Sequence, residues 1–359
     1  MKSFRELLDE YFREHPEDHK PGPDEAIDQW LADNTDELVQ MFSASLARDL
    51  DANQRKHVDL LRSDMSGFQS RLLDTWSAPL VRLDSLIGMC QEIGSEISSE
   101  YRSAGKCTPS PRRSMTTRLH ARAVQIANEV ACLAKGGYAD GAMARWRSLH
   151  ETTVILTFLG RHDDELASRF VDFQAILRWK AVCEYNEHHA ALGFDPIPSD
   201  DIDRYERKRD SVVAKYGDSF KSDTGNGWAS EVLKQKRVTF RDIEDFVDLS
   251  YLRPQYGFAS KNIHSGVDSI GYKLGLSMSN QEALLYGPSN VGLIEPIQCT
   301  SYSLIVATSE LIDTAPHDEQ AIMESVLWRW HGMLKDELVE ADKALRIKGQ
   351  EDSQTIDDR

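Results

Sequence analysis

The chain has 359 residues, 40% of them hydrophobic, and a formal net charge of −17. This length is enough for one large domain or two ordinary domains with a substantial core. No run approaches the roughly 18 consecutive apolar residues of a membrane-spanning helix, and the acidic start of the chain lacks the apolar core of a signal peptide, so we expect a cytoplasmic protein with no membrane partner.

The first hundred residues show apolar side chains at helical spacing. Residues 24–48 are predicted to form one or two amphipathic helices, and residues 52–101 a longer one. Pro79 is expected to bend or break the longer helix, because proline removes a backbone donor. Residues 103–113 have the composition of a linker. This linker is predicted to close an acidic N-terminal helical region, residues 1–102.

Beyond the linker, helical periodicity continues almost to the end of the chain. Further helices are predicted at residues 114–135, 139–159, 164–189, 201–216, 239–251, 256–276, 296–314 and 318–346. Residues 193–236 form a polar, loop-rich insertion, and residues 347–359 are predicted to be a disordered tail. No stretch shows the alternation of a strand. The predicted fold is all-α: a helical bundle domain over residues 114–346 with an N-terminal helical extension.

The charge is unevenly distributed along the chain. Residues 1–110 contain 12 Lys and Arg against 21 Asp and Glu, and residues 281–359 contain 6 against 15, so each of these acidic arms has a net charge of −9. Residues 111–280 contain 24 against 23, which leaves the middle near neutral. The middle is predicted either to present a basic patch to RNA or to pair its arginines with the arms. The basic-patch candidates are Arg112, Arg113, Arg118 and Arg122.

Two charged residues interrupt an apolar row of the helix predicted over residues 139–159. Arg147 and Glu151 are four residues apart, so they lie within 40° of each other on the helix, and Val154 continues their row. Charges within an apolar row are costly unless they are paired. The pattern favours a buried or cleft-lining polar cluster over a simple surface ion pair. His150 lies on the neighbouring row, which also faces inward.

A second candidate lies on the helix predicted over residues 256–276. His264 shares a row with Ser260, Ile263 and Val267. A histidine on such a face is either a satisfied core residue or part of a site that two facing helices build together. In the second case His264 would join Arg147 and Glu151 in one polar centre, where Glu151 would orient the histidine as an acid or base.

Several common signatures are missing from the sequence. The five cysteines are scattered and form no CxxC pair, so neither a disulfide framework nor a zinc knuckle is predicted. His150-Glu151 opens like a zinc-protease motif, but Val154 stands where the second histidine belongs. No Walker-type glycine loop, dinucleotide fingerprint or GxSxG elbow occurs. We therefore expect no metal and no cofactor.

Residues 118–320 resemble an uncharacterised bacterial family of all-helical proteins, similar to the HEPN group (higher-eukaryote and prokaryote nucleotide-binding) and to abortive-infection proteins. The segments that carry this resemblance are Arg147-Ser148-Leu149-His150-Glu151, Tyr256 through Ser260 to His264, Gly287-Pro288-Ser289, Gly292-Leu293 and Pro296. Many HEPN proteins are metal-independent ribonucleases that work as dimers with an arginine and a histidine a few residues apart. Arg145 and His150 have this spacing. The resemblance therefore implies a HEPN-like core, a homodimer and a phage-defence setting.

The leading hypothesis is a HEPN-like protein that cleaves or binds RNA in phage defence or as a toxin. Its candidate catalytic residues are Arg147, Glu151 and His264, with Arg145 and His150 as accessory or competing candidates. The histidine would deprotonate a ribose 2′-hydroxyl, and the arginine would stabilise the charge developing on the phosphate. The alternative is a non-catalytic helical scaffold or sensor subunit, in which these residues set helix register and the acidic arms bind a protein partner.

Overall fold

The computed structural model of the chain describes residues 4–16, 24–103, 110–222, 224–264, 266–276, 284–314 and 319–357. Within these ranges the regular structure is entirely helical, with no strand, which confirms the predicted all-α fold class. None of the helices in the described ranges is long and apolar enough to cross a membrane.

The chain divides into two compact units, Met1–Ser70 and Arg71–Arg359. The first unit contains α1, Phe4–Glu14, and the start of the long helix α2, Asp24–Ser103. In this unit Leu7 of α1 packs against Leu38 and Phe42 of α2.

Helix α2 runs without interruption through Pro79, so the predicted break there is wrong. The lost backbone hydrogen bond is offset by the buried residues on either side, Trp76 and Leu80, which belong to the core of the second unit. The linker predicted as a domain boundary at residues 103–113 stays a prediction. Of that linker, residues 104–109 lie outside the described ranges.

Three helices form the centre of the second unit: α3, Pro111–Lys135; α4, Ala139–Gly160; and α12, Ile294–Asp313. Helix α3 begins where Ser110 caps its N-terminus, with proline at the first position, and ends at Gly136. The three helices pack against one another along apolar faces, and the last helix, α13, Gln320–Asp357, packs on α12. The remaining helices are α5, Asp164–Asp172; α6, Gln174–His188; α7, Ser199–Tyr216; α8, Ser230–Leu233; α9, Phe240–Phe246; α10, Arg253–Ile263; and α11, Val267–Gly271.

The predicted insertion at residues 193–236 contributes to a second part of the core. Besides α7 it contains short helical turns, and its Phe220 and Trp228 are fully buried against Phe158 of α4 and Phe173. The polar composition of this stretch gives no sign that Phe220 and Trp228 are core residues. Single large aromatic residues bury much surface without producing a periodic pattern in the sequence.

Several predicted helices differ from the structure; the one predicted over residues 164–189, for example, is divided into α5 and α6. The helix predicted over residues 256–276 is two helices, because α10 ends at Ile263 and the next residue, His264, has an extended backbone with φ −102° and ψ 127°. Gly266 follows closely, and glycine disfavours continuation of a helix by about 1 kcal/mol. The tail predicted to be disordered continues α13 as far as Asp357, since no proline interrupts a run of helix-compatible residues. Residues 358–359 of that tail lie outside the described ranges.

Candidate functional site

Arg147 and Glu151 form an ion pair one turn apart on α4. The Arg147 Nε donates a hydrogen bond of 3.1 Å to Glu151 Oε1. The hydroxyl of Tyr256, on α10, donates to the same oxygen at 2.6 Å. The Arg147 guanidinium also lies 4.8 Å from the centre of the Tyr256 ring. The side chains of Arg147 and Glu151 are partly accessible, at 23% and 40% exposed.

Behind this pair lies a sealed ionic group. His150 Nε2 is 2.7 Å from Glu244 Oε1, and both side chains are 0% exposed. The second oxygen of Glu244 is ion-paired with Arg253, at the start of α10. A carboxylate paired in this way accepts hydrogen bonds only, so Nε2 of His150 is the protonated nitrogen and donates. The Nδ1 atom of His150 is buried and has no partner within the described residues.

Aromatic rings close the space around the buried histidine. Its ring centre lies 5.4 Å from that of Trp146 and 5.7 Å from that of Tyr256. Phe240 stacks on Tyr256 at 5.5 Å with an interplanar angle of 24°. The Arg253 guanidinium lies 5.0 Å from the Tyr256 ring centre. We call Arg147, His150, Glu151, Glu244, Arg253 and Tyr256 the α4 network.

This environment alters the acid–base properties of two groups. Burial lowers the pKa of His150, the nearby charge of Arg253 adds to this shift and Glu151 opposes it, and together they bring the pKa to about 4. Burial also raises the pKa of Tyr256, and its hydrogen bond to Glu151 acts in the same direction. At neutral pH His150 is therefore neutral and Tyr256 is a hydrogen-bond donor.

Acid is expected to destabilise the protein through His150. Its pKa is 6.5 in the unfolded chain and about 4 in the folded protein, so between these values the unfolded state binds more protons. Stability is thus complete above pH 6.5 and falls as the pH drops toward 4, by on the order of 3 kcal/mol. Urea unfolding at about pH 7 and about pH 4.5 measures this loss.

The variant H150Q should lose less stability than the wild type over the same pH interval. H120Q provides a second case, because burial also lowers the pKa of His120 to about 4. If H150Q and the wild type show parallel pH dependence, His150 is not buried as the neutral form.

The other sequence candidates lie apart from the α4 network. Arg145 forms an ion pair with Glu129 of α3. Five residues correspond to 140° around a helix, so Arg145 faces away from His150. His264 is exposed at the end of α10, and no hydrogen bond joins its side chain to Arg147 or Glu151 in the described part of the chain. The joint site of Arg147, Glu151 and His264 therefore stays a prediction, and His264 follows the last residue of α10, Ile263.

Sequence analysis did not identify Glu244, Arg253 or Tyr256 as site residues. Glu244 follows Ile243 on α9, and both are fully buried. The clearest local signal of this helix is its start, where Thr239 and Asp242 form a capping box. This signal locates the helix and says nothing of the buried charge. Among the described residues, no three His, Cys, Asp or Glu side chains are grouped so as to hold a metal ion.

Comparison with known proteins identifies one family. Residues 113–283 match the model of a family of unknown function, DUF5677. The match covers somewhat less than half of the chain and includes the whole α4 network. It confirms the coarser part of the predicted resemblance, an uncharacterised helical family. No curated protein and no solved structure matches the chain.

Proposed function

We propose that this protein is a non-catalytic helical scaffold or sensor subunit that binds a protein partner. The observation that supports this most is the complete burial of His150 and Glu244, which are 0% exposed. A general base must come within hydrogen-bond distance of the proton that it removes. The unprotonated Nδ1 of His150 would have to accept that proton, and it is buried, with the rings around it leaving no approach for a substrate.

The α4 network has a sufficient structural role. Through Glu244 and Arg253 it joins α4 to α9 and α10, and through Tyr256 it joins α10 to α4 a second time. Buried ionic groups contribute little net stability, but a polar group with one satisfactory arrangement can select a single helix register. In this role the network holds α9 and α10 in place on the central helices.

The last helix, α13, is the best candidate for the surface that binds a partner. Exposed apolar residues lie along one face of α13: Ile322, Val326, Met333 and Ile347. The segment that contains them, residues 281–359, has a net charge of −9. A partner with a basic rim around an apolar centre would match both features, because complementary charge accelerates association and apolar contact sustains it.

The second candidate function is RNA binding or cleavage by a HEPN-like homodimer in cytoplasmic phage defence. It is favoured by the partial exposure of Arg147 and Glu151 and by the exposed His264 two helical turns beyond Tyr256. Exposed Arg118 and Arg122, one turn apart on α3, would contribute phosphate contacts. In this function His264 accepts the 2′-hydroxyl proton and Arg147 stabilises the phosphate, without His150.

One experiment separates these two functions. Wild type, Arg147→Ala and His264→Ala are expressed side by side, and growth and the integrity of total RNA are compared; the purified proteins are then incubated with end-labelled RNA. The scaffold function predicts equal growth and intact RNA for all three. RNA fragments from the wild type that disappear with both variants would overturn it in favour of the nuclease. Circular dichroism confirms that each variant is folded.

A further inference from the structure

A cavity lies beside the α4 network, between α4, α10, α11 and the start of α12. Its volume is about 550 Å³, which is within the range of sites for small molecules. The residues that line it are Met143, Pro254, Gln255, Phe258, Lys261, Val267, Gly271, Tyr272, Leu274 and Glu295.

The floor and sides of the cavity are apolar and aromatic. Met143 and Leu274 are buried at its base. The rings of Phe258 and Tyr272 meet edge to face, with centres 5.5 Å apart and planes at 82°. Two rings at a right angle leave both an edge and a face for a third ring, so the cavity suits a planar ligand.

The wall that carries Leu274 is fixed to the bundle. The backbone amides of Leu274 and Gly275 donate to the carboxylate of Asp140 on α4, at 3.0 and 3.2 Å. Gly292, with φ +81°, packs so closely on Leu274 that an added Cβ would lie 2.2 Å from its carbonyl oxygen. These contacts fix the backbone of Leu274 and Gly275 against α4 and Gly292.

One residue that lines the cavity, Gln255, has a polar side-chain atom without a partner. The side-chain Oε1 of Gln255 is buried and accepts no hydrogen bond in the described part of the chain. On the same face of α10, seven residues later, Asn262 Nδ2 is also buried and unsatisfied. Buried amide atoms are nearly always hydrogen-bonded in native proteins, so each exception requires an explanation. When the Gln255 amide turns toward the cavity, a ligand donor would supply the missing bond.

We propose that this cavity binds a small, planar, mainly apolar molecule that carries one N–H or O–H donor, and that Gln255 accepts the hydrogen bond from this donor. The rings of Phe258 and Tyr272 contact the ligand body. The site is independent of the function proposed above, because binding is measured on the isolated protein without partner or RNA.

The test uses two probes that differ only in the donor. Indole carries one ring N–H, whereas benzofuran has nearly the same shape and none. Binding of each to the full-length protein is measured by calorimetry or ligand-observed NMR. We expect indole to bind about tenfold more tightly than benzofuran, since benzofuran leaves the Gln255 oxygen unsatisfied. Equal affinities of the wild type for the two probes, or no binding of either, would overturn the proposal.

Two pairs of variants locate the site. Gln255→Leu should abolish the preference for indole, whereas Gln125→Leu, on the exposed face of α3, should retain it. Gly271→Trp should weaken both probes at least about tenfold by filling the cavity. Gly257→Trp is its matched control, since a side chain at either glycine meets no atom within 4 Å of its Cβ and only Gly271 lines the cavity. Wild-type binding by Gly271→Trp would place the probes elsewhere and contradict the assignment.

Discussion

Replacement of Glu244 by alanine should lower the free energy of unfolding by about 3–5 kcal/mol, the usual loss when one member of a buried ion pair is removed. The Glu244 side chain is 0% exposed and bonds both His150 and Arg253. Without it, Arg253 retains a charge in a partly buried position, and the donor on His150 Nε2 has no acceptor. The loss therefore combines an unpaired charge with an unsatisfied donor.

Urea unfolding at neutral pH measures this change, and Asp245→Ala is the matched control. Asp245 is the next residue on α9, its side chain is 52% exposed, and it lies 3.8 Å from Arg241. A surface pair of this kind contributes about 0–1 kcal/mol. If the two variants lose similar stability, the α4 network does not hold α9 in place, and the structural role assigned to it is wrong.

Replacement of Trp146 by alanine should cost about 3–5 kcal/mol, as for other large buried aromatic residues. Trp146 is fully buried and lies between Arg145 and Arg147 in the chain. Its indole Nε1 donates to the carbonyl oxygen of Cys299 at 2.9 Å and to Ser303 Oγ at 3.0 Å, which ties α4 to α12. The substitution leaves a cavity and removes these bonds across the centre of the bundle.

Arg145→Ala tests whether Arg145, which precedes Trp146 in the chain, contributes as much to stability as Trp146. The Arg145 side chain is 32% exposed and its partner Glu129 is 40% exposed, so the expected loss is about 0–1 kcal/mol. Thermal or urea unfolding of the two variants in parallel gives the comparison. If Trp146→Ala lowers the free energy of unfolding only slightly, this segment is not part of the core. Its charged residues would then again be candidates for a surface site.

Several features of the fold could be predicted from local pattern. The helices α3 and α4 were predicted within a few residues of their ends, because capping residues, glycines and the 3.6-residue period act over one or two turns. The pairing of Arg147 with Glu151 was predicted for the same reason, since four residues along a helix determine which side chains are neighbours.

The candidate site depended on contacts that no local pattern specifies. His150 and Glu244 are 94 residues apart in the chain, and Glu151 and Tyr256 are 105 apart. The spacing of His264 favoured a continuous helix, yet α10 ends before it and the histidine is exposed. Whether a histidine is sealed or accessible is a property of the surrounding packing, so the choice between a catalytic and a structural role was beyond the sequence.

The sequence by itself determined the all-α class, most helix positions, the acidic arms and the Arg147–Glu151 pair, because each of these follows from composition or from the geometry of a single helix. Only the tertiary structure decided which charges are buried together, how α9 and α10 meet α4, and where a cavity is left between them. Those outcomes arise when distant apolar faces pack, and packing brings together residues whose separation along the chain carries no signal.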